Sequence, residues 1–160
     1  MDKFEIATTD MNSDSSKAVT NKKRDTKYVI FDVNNGKYGI DVNHVNTVIN
    51  MPTITKIPKT PAHYKGIISL RGEVIPIISL RKKISLEEDV VTADSRVIIT
   101  EMDDDRKVGL IVDSVKEVVA IPDDDIMEPS QFLKGQRTLI YGVAKKGDNI
   151  ISFFDVELLA

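Results

Sequence analysis

The sequence predicts a mainly β fold built from two small five-stranded units with short helical turns. Short runs rich in Val, Ile, Tyr and Phe are separated by turn pairs such as Gly147-Asp148, a pattern typical of short strands. Apolar residues show no long helical period. The chain also resembles itself at an offset close to 70 residues, which indicates that one β unit occurs twice.

The strand pattern begins at Lys27 and continues almost to the end of the chain. It predicts ten strands, at residues 27–33, 36–41, 45–50, 66–71, 73–80, 95–101, 106–112, 116–121, 138–144 and 148–154. Residues 1–26 are polar and mixed in charge, without an apolar period, so we expect a flexible tail there.

The two copies keep the order of their matched residues. The matches are Val29 with Val97 at an offset of 68, Gly39 with Gly109, Val45 with Val115, Val48 with Val118 and Pro52 with Pro122 at 70, and Gly66 with Gly142 at 76. The pseudo-repeats span about 27–83 and 95–159, with a linker at about 84–94. Each copy is therefore expected to form its own five-stranded barrel.

Composition excludes several classes of protein. Of the 160 residues, 41% are hydrophobic and 29% are charged, which is typical of a globular domain. No apolar run reaches the roughly 18 residues of a membrane span, and the first ten residues lack a signal peptide, so a cytoplasmic location is expected. The chain has no cysteine, which excludes disulfides and thiolate chemistry.

Charge is distributed unevenly along the chain. Seven basic residues and only Glu73 as an acid lie between Lys56 and Lys83, whereas fourteen acids and four bases lie between Glu87 and Glu128. Such polarity favours contacts with oppositely charged protein surfaces. The alternative is two solvated faces of opposite sign.

Two sets of valines indicate a binding surface. Val42, Val45 and Ile49 follow a spacing of three and four, which predicts a helical turn, and Val112, Val115 and Val119 repeat that spacing. If the two stripes face each other across the junction of the barrels, they form an apolar groove that accepts a helix. The alternative is that these side chains fill the two cores.

The most distinctive run predicts a tight hairpin. It reads Gly66-Ile-Ile-Ser-Leu-Arg71-Gly72-Glu-Val-Ile-Pro76-Ile-Ile-Ser-Leu-Arg81. Gly72 supplies the positive φ of the turn and places Arg71 at its tip. Pro76 has no backbone donor, so it predicts a sheet edge or a bulge, where partners add.

This run resembles the signature of the CheW family of chemotaxis coupling proteins. The resemblance extends from about Tyr28 to Leu159 and includes Tyr38-Gly-Ile-Asp-Val42, Ile57-Pro58 with Pro61, Val108-Gly-Leu-Ile-Val-Asp113 and Phe153-Phe-Asp-Val156. It implies two five-stranded SH3-like β-barrel subdomains. It also implies a non-enzymatic adaptor without cofactors, which links the cytoplasmic tips of chemoreceptors to the regulatory domain of the histidine kinase CheA in membrane-associated arrays.

The resemblance also implies binding residues. The receptor helix of the family lies between the barrels, which implies contacts with Val29, Val42, Val45, Val48, Val115 and Val118, together with Arg71. The kinase contacts fall on the segment from Ile126 to Phe132, where Phe132 is kept and Met127 replaces the family's arginine. Thr47 and Ser79 also depart from the family pattern, at positions where Glu and Asp are common.

Other functions find less support in the sequence. His44, His63 and the acidic triplets at 103–105 and 123–125 lack the spacing of a metal or catalytic site, so neither metal nor enzyme activity is expected. Binding of single-stranded nucleic acid by Lys56–Lys83 is opposed by the net charge of −3 and the 6% aromatic content. A CheW-like scaffold of a different receptor–kinase system remains the alternative.

Overall fold

The computed structural model describes residues 24–84, 88–128 and 139–159. Ten strands occupy these ranges: β1 (Asp25–Val33), β2 (Gly36–Asp41), β3 (Val45–Asn50), β4 (Tyr64–Leu70), β5 (Glu73–Ser79), β6 (Arg96–Glu101), β7 (Lys107–Val112), β8 (Ser114–Pro122), β9 (Ile140–Lys146) and β10 (Asn149–Phe154). The helical elements are α1 (Leu80–Lys83) and the 3₁₀ turns η1 (Val42–His44), η2 (Asp123–Asp125) and η3 (Val156–Leu158). Every predicted strand is confirmed to within two residues at each end, whereas most of the expected tail lies outside the described residues.

The strands form two five-stranded sheets that exchange strands between the copies. Sheet 1 has the order β8-β1-β2-β10-β9, and sheet 2 has the order β3-β6-β7-β5-β4. The mainly β, two-unit fold is confirmed, but the expectation that each copy forms its own barrel is wrong. Each sheet instead joins two strands of one copy to three strands of the other. The alternation of apolar and polar residues in a sequence identifies the strands, but it does not identify the pairing partner of each strand.

The exchange preserves the duplication in detail. Replacing each strand by its counterpart five places along the chain converts the order of sheet 2 into that of sheet 1. Val48 pairs with Ile98 in sheet 2, and its counterpart Val118 pairs with Val29 in sheet 1. Gly39 pairs with Ile30 and Gly109 with Ile99, so the structural offset of β1 and β6 is 69, not the 68 read from the sequence.

Three apolar clusters fill the molecule. The interior of sheet 1 contains Tyr28, Ile30 and Phe153, and the interior of sheet 2 contains Ile77, Val97 and Ile99. Edge strands of sheet 1 also meet in its interior, through Ile121 of β8 and Ala144 of β9, so the sheet curls around this cluster. Neither sheet closes by hydrogen bonding among the described residues.

A third cluster, the central core, lies between the sheets. Sheet 1 contributes Val29, Phe31 and Phe154, and sheet 2 contributes Ile98 and Leu110. Because successive residues of a strand point to opposite faces, β1 places Val29 in the central core and Ile30 in the interior of sheet 1. The inner strands are therefore buried on both faces, and the central core holds the sheets together.

Gly66 and Gly72 both have positive φ, but their surroundings differ. At Gly66, with φ of +140°, an added Cβ would collide with the carbonyl oxygen of Thr55, whose segment bridges to Ile67. At Gly72, with φ of +82°, nothing lies within 4 Å of an added Cβ. The sequence-based expectation of positive φ at Gly72 is confirmed.

This difference predicts unequal effects of alanine. Gly72→Ala should cost only backbone strain, about 1–2 kcal/mol of unfolding free energy. Gly66→Ala adds a clash with backbone, which cannot rotate away, so its cost should exceed about 3 kcal/mol. Urea denaturation of both variants measures the difference. Equal costs would show that the Gly66 segment relaxes and that this close approach is not required.

Candidate functional site

The two sheets meet at an apolar surface formed by their edge strands β3 and β8 and by η1. We call Val42, Val45, Val48, Val115 and Val118 the junction surface. Val42, Val45 and Val115 are half-buried and pack against the central core. Val48 and Val118 are 37% and 54% exposed. Hydrophobic side chains that stay exposed beside a core are candidates for contact with another protein.

The junction surface continues the central core outward. Residues opposite each other in an antiparallel pair lie on the same face of the sheet. Val118 is opposite Val29, and Val48 is opposite Ile98. Both Val29 and Ile98 are buried in the central core. The exposed valines of β8 and β3 therefore lie directly beside buried core residues that are equivalent in the two copies.

The predicted valine stripes are divided by β-bulges. Val45 opposes Thr100 while Thr47 opposes Ile99, which leaves Asn46 as an extra residue in β3, and Lys116 is the extra residue of β8. An extra residue reverses the alternation of faces. Val45 and Val115 consequently face the central core, whereas Ile49 and Val119 pack in the sheet interiors.

The second valine segment is a strand. Val112, Val115 and Val119 repeat the helical spacing of the first segment, but Ser114–Pro122 forms β8, which agrees with the strand predicted at 116–121, and of these two segments only the first contains a helical turn, η1. Val29 was expected to line the surface, but it is 4% exposed and lies beside Val118, on the neighbouring strand β1. Ile98, the counterpart of Val29, was not recognisable from the sequence because the offset of 68 matched Val29 to Val97 instead.

Arg71 and the junction valines of sheet 2 lie at opposite edges of that sheet. It occupies the tip of the β4–β5 hairpin, where φ is +53° for Arg71 and +82° for Gly72, the combination of a type I′ turn. The Arg71 side chain is exposed, as predicted. The hairpin is one edge of sheet 2, and β3, which carries Val45 and Val48, is the other edge.

The hairpin also has the free edge predicted from Pro76. β5 pairs with β4 along its length, but its ladder with β7 covers only Ile77–Ser79. Pro76 therefore sits where a second ladder is absent and its missing donor costs nothing. Val74, two residues earlier, is 66% exposed.

The candidate kinase segment is described only in part. Met127 bridges to Val143 through two backbone hydrogen bonds, of 2.7 Å from its own N–H and 2.9 Å to its carbonyl. Its side chain is half-buried against the central core. Phe132 lies outside the described residues.

An ion pair that was not predicted from the sequence joins the two sheets. Arg81, in α1 after sheet 2, lies 2.6 Å from Asp113. The Asp113 carboxylate also accepts a 2.8 Å hydrogen bond from the backbone N–H of Asn34, in the β1–β2 turn of sheet 1. Both side chains are largely buried, at 12% and 25% exposed, so water screens the pair less than a surface pair.

The charge polarity of the sequence is partly cancelled in space. Lys65 of the basic segment lies 2.7 Å from Glu88 of the acidic segment, and Lys82 lies 3.5 Å from the same carboxylate. The hydrogen bond from Lys65 lowers the pKa of Glu88 below its usual value. The basic and acidic segments thus pair with each other in part. This favours the alternative of a solvated surface over charge-driven contacts with a partner.

Beside η1, a shallow cavity of about 350 Å³ is lined by Tyr28, Asp41, His44 and Tyr141, among others. The Tyr28 and Tyr141 hydroxyls lie 3.4 Å apart. Burial raises the pKa of both phenols, so both stay neutral at physiological pH.

An exposed apolar surface beside a shared core is typical of a protein-binding scaffold. Comparison with known proteins gives the family. A family model of the CheW-like domain matches residues 27–160. The chain therefore belongs to the CheW-like family, and it is a non-enzymatic scaffold of chemotaxis signalling.

Individual relatives agree with this assignment. The chain is 30% identical over 135 residues to the chemotaxis protein CheW of Treponema pallidum, which covers 82% of this chain and 79% of that protein. It is 31% identical over 136 residues to CheW of Bacillus subtilis, covering 84% and 86%. The structure of the scaffolding protein TtCheW from Thermoanaerobacter tengcongensis is similar, with 36% identity, a TM-score of 0.77 and coverage of 85% and 88%. In the described ranges, no helix combines the length and the apolar character required to cross a membrane.

Proposed function

We propose that this chain couples the cytoplasmic helical tips of chemoreceptors to the regulatory domain of the histidine kinase CheA. Through these two partners it joins membrane-associated receptor arrays. The observation that carries the proposal is the junction surface, where exposed valines from both sheets stand on one shared core. The family assignment supplies the chemotaxis context.

The chemistry of the junction surface suits a helix. Val48 and Val118 supply exposed apolar area, and Val42, Val45 and Val115 supply a half-buried floor. An amphipathic helix binds such a surface with the apolar residues of one face, while its polar face stays in water. Because the valines stand on strands fixed by the core, binding requires little ordering of the scaffold.

The kinase contact is proposed for a different part of the molecule. Met127 and Phe132 follow η2 in the sequence, and Met127 pairs with Val143 of β9, an edge strand of sheet 1. A partner at this edge leaves the exposed Val48 of sheet 2 available. The scaffold can thus hold a receptor helix and a kinase domain at once, which is the requirement for coupling.

Val118→Asp should weaken binding of a receptor-tip helical hairpin by at least about tenfold, because a charge would enter an apolar contact. Val118 is 54% exposed, so the fold should persist. Val91→Asp is the matched control, since Val91 is 60% exposed in the segment before β6. Fluorescence anisotropy with the labelled hairpin, and separately with the kinase regulatory domain, measures both affinities.

The proposal expects Val118→Asp to leave kinase binding unchanged and Val91→Asp to leave both affinities unchanged. Equal loss of both partners in Val118→Asp would remove the junction surface as the receptor site. If the unmodified chain bound neither partner, the coupling function itself would be wrong, and a different receptor–kinase system would have to be tested.

Arg71→Glu should reduce receptor-dependent stimulation of kinase autophosphorylation severalfold, because the side chain is an exposed cation at a hairpin tip. The thermal midpoint should stay within about 2 °C of the unmodified chain, as expected for a surface change. Lys59→Glu makes the same charge change at another exposed residue with positive φ. A similar loss of stimulation in both variants would indicate a general charge effect rather than a role for Arg71.

A further inference from the structure

Three side chains of types that can ligate a metal ion converge beside η1. His44 ends η1, Asp103 lies in the β6–β7 turn, and Glu157 lies in η3. The His44 Nε2 atom is 3.5 Å from Asp103 Oδ1 and 3.9 Å from Glu157 Oε2. All three ligand atoms lie within 4.8 Å of one another. Three separate segments of the chain thus bring one imidazole and two carboxylates together.

The duplication shows what is unusual about this cluster. Glu157 is the counterpart of Arg81 at the offset of 76, since each lies two residues after the capping residue of its helical turn, Asp155 or Ser79. Asp103 is likewise the counterpart of Asn34 at the offset of 69. At both of these equivalent turns a carboxylate accepts the backbone N–H of the turn residue: Asp113 accepts it from Asn34, and Glu157 accepts it from Asp103.

The two copies differ in charge at this point. Asp113 is neutralised by Arg81, a permanent cation. In the other copy a glutamate stands in place of that arginine, and two carboxylates face one histidine. Within the described ranges, the ion pairs of Asp103 and Glu157 involve His44. With His44 neutral, the cluster carries a formal charge of −2 where its counterpart carries none.

The two neighbouring carboxylates, Asp41 and Asp155, are engaged in hydrogen bonds that cap the helical turns. Asp41 accepts the N–H of Asn43 and caps η1, and Asp155 accepts the N–H of Glu157 and caps η3. These caps fix the turns that carry His44 and Glu157. The Asp103 N–H donates a 2.9 Å hydrogen bond to Glu157 Oε2, which holds the β6–β7 turn against η3.

We propose that His44, Asp103 and Glu157 bind a divalent transition-metal ion of the zinc class. One imidazole nitrogen and two carboxylate oxygens are a common ligand set for such ions, and water can complete the coordination. Ca²⁺ and Mg²⁺ prefer oxygen ligands alone. The ion supplies the positive charge that Arg81 supplies in the other copy, and it ties η1, with Val42 of the junction surface, to both other segments.

Isothermal titration of the tag-free, chelator-treated full chain with ZnCl₂ tests this proposal, with Co²⁺ absorption as an independent readout of nitrogen and oxygen coordination. The unmodified chain should bind one ion per chain and gain thermal stability on binding. His44→Gln and Glu157→Gln should each weaken binding by at least about tenfold, equivalent to about 1.4 kcal/mol. His63→Gln is the matched control, because His63 is the other histidine of the chain.

The proposal expects unchanged binding in His63→Gln, and circular dichroism should show both ligand variants folded. If the unmodified chain showed no saturable binding up to about 1 mM Zn²⁺, which corresponds to a binding free energy of about 4.1 kcal/mol, the proposal would be overturned. Equal affinity in His44→Gln, Glu157→Gln and the unmodified chain would place the ion elsewhere and would also overturn it. Neither outcome bears on receptor or kinase binding, which is measured separately.

Discussion

Strands that are apolar on both faces must be covered on both faces, and this requirement shapes the whole molecule. In β1, Val29 and Phe31 face the central core while Tyr28 and Ile30 face the interior of sheet 1. A curled five-stranded sheet covers only the inner face of such a strand. The other sheet must cover the outer face. Since burial of one such side chain contributes about 1.5–3 kcal/mol, separating the sheets would cost more than the roughly 5–15 kcal/mol stability of a typical domain.

The function proposed for the surface follows from this shared core. The junction surface lies on η1, β3 and β8, and each of the two edge strands pairs with an inner strand whose side chains are fixed in the central core. The valines are therefore held in position before any partner arrives, which limits the entropic cost of binding. The Arg81–Asp113 pair adds a polar link between the same sheets, and we place the proposed metal at its counterpart.

Much of this structure was predictable from local patterns. Alternation of apolar residues and turn pairs placed all ten strands, because these features depend on residues close in sequence. The duplication was also visible, since glycines and prolines mark the same turns in both copies. The exchange of strands was not visible, because the copies contain equivalent strands and no local feature distinguishes a partner in one copy from its counterpart in the other.

Errors at the site have a similar origin. The spacing of Val45 and Ile49 suggested a common face, but the bulge at Asn46 sends them to opposite faces. A bulge adds one residue without a composition signal. The pairing of Arg81 with Asp113 joins residues 32 positions apart through the exchanged topology, so it could not be read from sequence spacing.

Native-state hydrogen exchange, measured by NMR at increasing denaturant, tests most directly whether the central core makes the two sheets one unit. Amides of β2 in sheet 1 and β7 in sheet 2 should reach the same opening free energy and the same denaturant dependence, equal to those of global unfolding. If the amides of one sheet opened at a clearly lower free energy while those of the other stayed protected, the sheets would be separate units and the account would be contradicted.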